Sequence, residues 1–182
     1  GIILEKYRDK VTLTFFGFKP DIQEWEEQFK INYIDYTSDY DLYKKIMENG
    51  NFDIGLAPLP EGDFYRYKYF NKFIEYTTVG AVGIYTDCLP YTLVVKDKEN
   101  GFLCCNSPES WVETICVAIE NTELRKRCIE SAQDLLKKNF SSEVVLNKLE
   151  KDLPELIFYN APAVSILQNI LIPNFFLVKV HK

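Results

Sequence analysis

Apolar residues follow two different patterns along the chain. Short runs rich in β-branched and aromatic residues alternate with segments in which apolar residues recur every three or four positions. The short runs predict buried strands, and the other segments predict amphipathic helices. Five strands are predicted, at residues 11–17, 31–36, 52–57, 81–86 and 102–104. Their alternation with helices is typical of an α/β domain with a parallel sheet.

The predicted helices begin at residues that cap helices well. Helices are predicted over residues 39–47 and 71–79, and three more follow the last predicted strand. Asp39 stands at an N-cap position, and so does Ser107, which is followed by Pro108 at the first helical position. An Asp or Ser side chain accepts hydrogen bonds from the first backbone N–H groups of a helix, and Pro lacks the N–H that would need an acceptor.

The two ends of the sequence depart from this pattern. Residues 1–7 resemble the last turns of a helix that began earlier in a longer chain. The segment from Leu156 to Val178 contains no charged residue, and its length could span a bilayer. Because Pro162, Pro173 and several amide side chains interrupt it, we predict a segment that packs on a neighbouring domain or subunit. Membrane contact is the alternative.

Length and charge restrict the class of protein. The 182 residues predict one domain, or one domain with an appendage. A net charge of −6 argues against a general nucleic-acid-binding protein, but a few local cations could still hold a small anion. Five cysteines without a C-x-x-C spacing argue for a reduced, cytosolic protein. The only histidine, His181, is expected to be a mobile tail residue rather than part of a catalytic pair.

Motifs that would identify a reaction are few. The chain contains neither the dinucleotide-binding G-x-G-x-x-G nor the P-loop pattern. Asp39-Tyr40-Asp41 has a spacing that can hold a divalent metal beside a nucleotide diphosphate. Since Asp39 also stands where a helix needs an N-cap, we predict a cap rather than a metal ligand.

One cationic stretch points to an anionic ligand. Arg66, Lys68, Asn71 and Lys72 lie where a strand end passes into a predicted helix. Ligands of open parallel α/β sheets bind outside the carboxyl ends of the strands, and a helix N-terminus suits a phosphate. Glu75 shares a helix face with Lys72, and its carboxylate could accept hydrogen bonds from a ribose diol. An ordinary Lys–Glu pair on a solvated face is the alternative from spacing alone.

An ordered series of short motifs resembles a known family. The motifs are Asp53-Ile-Gly-Leu-Ala-Pro-Leu59, Asn71-Lys-Phe-Ile-Glu-Tyr76, Gly80, Pro90-Tyr91, Val94-Val95, Asn100-Gly-Phe-Leu103, Pro108-Glu-Ser-Trp111, Leu124-Arg125, Ala132 and Asn139-Phe140-Ser141. In this order they resemble the C-terminal half of retaining GT-B glycosyltransferases, in particular the family 4 group, also called group 1. The similarity covers roughly residues 11–153.

The resemblance implies a fold and a division of the chain. It implies a Rossmann-like, three-layer α/β/α domain with a parallel sheet, which is one lobe of a GT-B enzyme. Residues 1–153 would form this nucleotide-sugar-binding domain, without the beginning that the family has. Residues 154–182 would form an apolar C-terminal extension.

The resemblance also implies roles for particular residues. Glu75 matches the family's glutamate that binds the ribose of the donor, and Lys72 lies near the diphosphate. Gly17 matches the family's glycine at the crevice. Tyr36 and Thr37 lie on the loop where the base usually docks. Arg66, Lys68 and Asn71 complete the expected donor site.

The sequence departs from the family at two places. The family commonly has another glutamate eight positions before the ribose-binding one, and that position is Tyr67 here. Recognition of the donor sugar is therefore expected to differ. The family's phosphate-binding Arg and Lys, near the start of the C-terminal domain, are missing from the sequence, as is an acceptor-binding domain.

Two functions follow as expectations. The first is the donor-binding half of an enzyme that transfers a sugar, with retention, from a UDP- or GDP-sugar to a glycan or other alcohol. It would need a separate N-terminal lobe but no cofactor, metal or nucleic acid. We expect it to act in the cytoplasm in polysaccharide biosynthesis, and peripheral contact with the inner membrane face is an option. The second is a noncatalytic α/β binding module, which Tyr67 and the aromatic residues around it favour.

Overall fold

The computed structural model describes residues 1–60, 62–153 and 175–181. The strands are β1 (Val11–Phe16), β2 (Ile31–Ile34), β3 (Ile54–Ala57), β4 (Val82–Thr86), β5 (Phe102–Cys104) and β6 (Phe175–Val180). The helices are α1 (Ile2–Lys6), α2 (Gln23–Glu26), α3 (Tyr40–Asn49), α4 (Asp63–Arg66), α5 (Asn71–Thr78), α6 (Pro108–Glu120), α7 (Thr122–Phe140) and α8 (Ser142–Asp152). A 3-10 turn, Tyr91–Leu93, follows β4.

The six strands form one sheet in the order β2-β1-β6-β3-β4-β5. β1 pairs with β2 in parallel, and β3, β4 and β5 are parallel to one another. Both groups run antiparallel to β6, so the five predicted strands all point the same way. Their carboxyl ends therefore lie at one edge of the sheet. The α/β class and the parallel arrangement of the five predicted strands are confirmed, and β6, inserted between β1 and β3, adds one antiparallel strand that the sequence did not predict.

β6 comes from the segment that the sequence predicts as an apolar extension. Leu177 and Val178 are both buried in the sheet, on opposite faces. Asp53 fixes the strand, because its carboxylate accepts from the Val180 N–H at 2.8 Å and its own N–H donates to the Val178 carbonyl. Residues 154–174 lie outside the described residues, so the predicted domain boundary and the membrane alternative for that segment stay predictions. No helix among the described residues is long and apolar enough to cross a membrane.

His181 is attached to the sheet, and the expectation of a mobile tail residue is wrong. Its Nε2 lies 2.8 Å from Oγ1 of Thr12, and its backbone N–H donates to the carbonyl of Lys10. Both partners flank the start of β1. The register of β6 against β1 brings His181 to this position, and the sequence alone gave no reason to expect that pairing.

Helices cover both faces of the sheet, which confirms the three-layer prediction. The core on one face lies under α3 and α5 and includes Phe16, Tyr43, Phe73, Tyr76 and Leu177. The core on the other face lies under α1 and α6 and includes Val11, Ile54, Ile115, Ala118 and Val178.

A glycine lets α5 approach the sheet closely. A Cβ at Gly55 would collide with the ring of Tyr76, which lies over β3 at that point. The Tyr76 hydroxyl donates to the carbonyl of Leu56 at 2.9 Å. The pair therefore sets the height of α5 above the carboxyl end of β3, which is where the candidate site lies.

The predicted caps are confirmed. Oδ1 of Asp39 accepts from the backbone N–H groups of Asp41 and Leu42, at 2.9 and 3.0 Å. Ser107 accepts from the N–H of Ser110 at the start of α6. Asp39 thus serves as a helix cap, and the described residues contain no group of three or more His, Cys, Asp or Glu side chains that could hold a metal.

Candidate functional site

A cavity of about 540 Å³ opens at the carboxyl edge of the sheet, between the end of β3 and the start of α5. Residues 57–60, at the end of β3 and just after it, contribute to its lining, and so does Phe18, which follows β1. Lys68, Asn71 and Lys72 bring polar groups to it, and the remaining lining is largely aromatic and apolar: Leu56, Phe64, Tyr65, Tyr69, Pro90 and Tyr91. A crevice at this edge is where ligands of open α/β sheets bind.

The structure brings some of the predicted site residues together. Lys68, Asn71 and Lys72 all line the cavity. Gly17 directly follows β1 with a φ of 77°, a left-handed conformation that suits glycine, and its N–H donates to the Ile34 carbonyl at 2.8 Å. This turn directs the chain toward the cavity, where the next residue contributes to the lining.

The other predicted residues lie apart from the lining. Arg66 pairs with Asp63 at 3.7 Å on the surface and borders a neighbouring cavity of about 520 Å³. Tyr36 is exposed after the end of β2. Thr37 accepts a hydrogen bond from the backbone N–H of Asp39 at 3.1 Å, so its hydroxyl takes part in the turn that leads into α3.

A polar cluster of Lys72, Glu75 and Tyr43 lies where α3 faces α5, and of these three Lys72 alone lines the cavity. Nζ of Lys72 donates to Oε2 of Glu75 at 2.8 Å. The hydroxyl of Tyr43, from α3, donates to the same oxygen at 3.1 Å. The Lys72 side chain is 8% exposed and the Glu75 side chain is 27% exposed. The Lys–Glu pair is therefore not the solvated surface pair that spacing alone allows.

Burial shifts the pKa values of Lys72 and Tyr43 in opposite directions. Burial lowers the pKa of Lys72 to about 8, although Glu75 acts in the opposite direction by stabilising the charged ammonium. Burial raises the pKa of Tyr43, and the negative charge of Glu75 raises it further. Tyr43 thus keeps its proton and donates a hydrogen bond to Glu75.

Aromatic side chains form the outer wall of the cavity. Nζ of Lys68 lies over the rings of Phe64 and Tyr65, at 5.3 and 5.0 Å from their centroids. The ring of Tyr69 stacks on that of Phe70, with 4.1 Å between the ring centroids. Tyr67, which stands where the family commonly has a glutamate, is 89% exposed and is absent from the cavity lining. The wall therefore offers ring faces and one cation to a ligand.

Comparison with known proteins gives a fold. No protein-family model and no curated protein matches the chain. The C-terminal domain of the group 1 glycosyltransferase LpcC from Francisella tularensis superposes with a TM-score of 0.52 at 18% identity, over 66% of this chain and 60% of that one. HepE from Anabaena, solved in complex with UDP, superposes with a TM-score of 0.53 at 16% identity. The match covers 74% of this chain and 36% of HepE. TarM superposes with a TM-score of 0.58 at 15% identity, over 82% of this chain and 30% of TarM.

The chain has the fold of a GT-B glycosyltransferase C-terminal domain. This GT-B fold confirms the resemblance found in the sequence motifs. The chain spans between 30% and 60% of the length of these solved structures.

Sequence reasoning missed two residues of this GT-B domain's candidate site. Tyr43 belongs to none of the motifs in the sequence, yet its hydroxyl meets Glu75, 32 residues away. Tyr91 lines the cavity from the 3-10 turn after β4 and packs on Tyr85 at 4.7 Å. No local pattern reports such contacts, because they arise only when the sheet brings neighbouring crossovers together.

Proposed function

We propose that the chain is the donor-binding half of a retaining GT-B glycosyltransferase and binds a UDP- or GDP-sugar in the cavity at the carboxyl edge. The observation that carries the proposal is the convergence of Asn71, Lys72 and the start of α5 on that cavity. The solved structures of HepE with UDP and with UDP-glucose support it, since this chain has a similar fold at 16% identity.

The start of α5 has the properties that a diphosphate needs. Side chains cap α3, α6, α7 and α8, and no described side chain caps the short helices α1, α2 and α4 or the eight-residue α5. Its first N–H groups and the positive end of its dipole can therefore interact with an anion. Lys72 and Lys68 add positive charge at the same place. Such groups stabilise a departing diphosphate electrostatically, so the proposed reaction requires no metal, cofactor or protein nucleophile.

Glu75 is the proposed ribose ligand. Both described hydrogen bonds to its carboxylate go to Oε2. We assign Oε1 to the ribose hydroxyls, because an ionised carboxylate accepts hydrogen bonds at both oxygens.

Calorimetric titration of the folded chain with a panel of nucleoside diphosphates tests the binding proposal. We expect weak binding of UDP or GDP, and Glu75→Ala should weaken it about tenfold, as the loss of a hydrogen bond to a charged group does. Glu99→Ala is the matched control, since it removes another Lys–Glu pair three residues apart, with Lys96, at 3.3 Å. Absence of heat with every nucleotide at millimolar concentration would refute the proposal.

Sugar transfer itself is proposed only for a two-lobed protein. A GT-B site lies between two lobes, so an N-terminal lobe would bring the glycan or other alcohol acceptor to this cavity. We further propose a cytoplasmic setting in polysaccharide biosynthesis, with peripheral contact at the inner membrane face and no role for nucleic acid. Flotation of the intact chain with liposomes tests the membrane contact, and a chain that stays in the unbound fraction would refute it.

A noncatalytic binding module is the second candidate. The exposure of Tyr67, in place of the family's glutamate, favours it, as do the bonds that already engage Glu75 within the protein. A folded chain that binds no nucleotide would support this candidate against the first.

A further inference from the structure

Two elements hold the carboxylate of Glu75 from different directions. Lys72 lies on the same helix, α5, one turn before Glu75, and its ammonium donates a hydrogen bond to the carboxylate. Tyr43 is on α3 and donates across the gap between the two helices. A bond from within one helix moves with that helix, whereas a bond from a second element fixes the carboxylate relative to the sheet.

The position of Tyr43 is itself well fixed. The side chain is 3% exposed, and its ring packs edge-to-face on Phe16, with 5.3 Å between the centroids. Phe16 is the last residue of β1, directly before Gly17 at the crevice. The hydroxyl of Tyr43 is thereby placed relative to the same strand end that borders the cavity.

We propose that Tyr43 is a positioning residue that orients Glu75 for the ribose of the donor, an inference that rests on the proposed function. With Oε2 held by two donors, rotation of the carboxylate is restricted and Oε1 keeps one direction. Loss of the hydroxyl leaves Glu75 with the donor from its own helix, and the carboxylate can then turn toward Lys72. A ligand group must be held within about half an ångström to recognise its partner well.

The consequence is selectivity for ribose over deoxyribose. A fixed Oε1 accepts from the sugar hydroxyls of UDP, and 2′-deoxy-UDP lacks one of them. A carboxylate that is free to turn gains less from either hydroxyl. Tyr43 therefore affects the ratio of the two affinities and not only their size.

The experiment measures the binding of UDP and 2′-deoxy-UDP by calorimetry to the unmodified chain and to Tyr43→Phe. We expect the unmodified chain to prefer UDP about tenfold, and Tyr43→Phe to reduce this preference to about twofold. Phe keeps the ring that packs on Phe16. Tyr76→Phe is the control, because it also removes a buried hydroxyl, the one that donates to the Leu56 carbonyl. It should keep the tenfold preference.

Each outcome bears on a different part of the proposal. If Glu75→Ala abolishes the preference while Tyr43→Phe leaves it intact, Tyr43 has no positioning role and the ribose assignment stands. If Tyr43→Phe and Tyr76→Phe reduce the preference equally, the effect is general destabilisation, and the inference is overturned. If the unmodified chain binds neither nucleotide, the proposed function fails and this inference fails with it.

Discussion

Lys72 is a charged side chain that the fold keeps almost fully buried. Only 8% of the side chain is exposed, and burial lowers its pKa to about 8. In the free protein it therefore loses its proton as the pH rises through about 8. Burial raises the pKa values of Tyr43 and Tyr91, so these neighbours keep their protons over the same range.

A pH dependence of nucleotide binding follows. If the charged ammonium holds the diphosphate, affinity for UDP should fall roughly tenfold between pH 7 and pH 9, as the charged fraction of Lys72 falls. Binding near pH 8 should also take up protons, which calorimetry in buffers of different ionisation enthalpy measures. Lys68→Ala serves as the control, since it should lower affinity but retain the pH dependence. Equal affinity at pH 7 and pH 9 would contradict the role given to Lys72.

The cap at Asp39 gives a stability prediction. Asp39→Ala leaves the N–H groups of Asp41 and Leu42 without their acceptor and should lower the free energy of unfolding by about 1 kcal/mol. Denaturant unfolding measures this. Asp39→Asn keeps an acceptor at the same place and should cost much less. An unchanged midpoint for Asp39→Ala would show that the cap contributes nothing to stability.

At this scale, local chemistry was predictable and distant contacts were not. Asp39 could be predicted because an N-cap depends on residues two or three positions away. The hydrogen bond from Tyr43 to Glu75 could not be predicted, because the packing of two helices brings these residues together. Glu75 and Lys72 were predicted as a pair by their spacing, but their burial depends on the whole site.

Among the elements, strands with a strong pattern were predictable from the sequence. β1, β3 and β4 are apolar, bounded by turn residues and confirmed by the structure. β6 has an apolar sequence as well, but it continues a long uncharged segment, so no change in the pattern marks where the strand begins. Its pairing with β1 joins residues far apart in the chain, and no local signal specifies such a register.

The burial of β6 predicts a large effect on stability. Leu177 is fully buried in the core under α3 and α5, so Leu177→Ala should lower the free energy of unfolding by about 3 kcal/mol. Lys179→Ala, two positions later on the same strand, should cost less than about 1 kcal/mol. Denaturant unfolding of both variants measures the difference. Similar midpoints would mean that β6 does not occupy the centre of the sheet.

The whole molecule has the fold of one lobe, and its predicted activity follows from that. The chain covers 60% of the LpcC C-terminal domain and about a third of the HepE structure. We expect it to bind a nucleotide but to transfer no sugar alone, because the proposed acceptor site needs a second lobe. Incubation with labelled UDP-glucose and candidate glycans measures this. Transfer by this chain alone would disprove the two-lobe requirement.

The central place of β6 also bears on how the protein is synthesised. Among the described strands, β1 and β3 do not pair with each other, and residues 175–180 join the two parallel groups in the sheet. On the ribosome, β1 to β5 emerge before the strand that joins them. Until β6 pairs, the β1 and β3 edges that it joins lack this partner, and unpaired strand edges are where nascent chains associate wrongly. Closure of the sheet is thus a late, long-range event, which is expected to make folding slow.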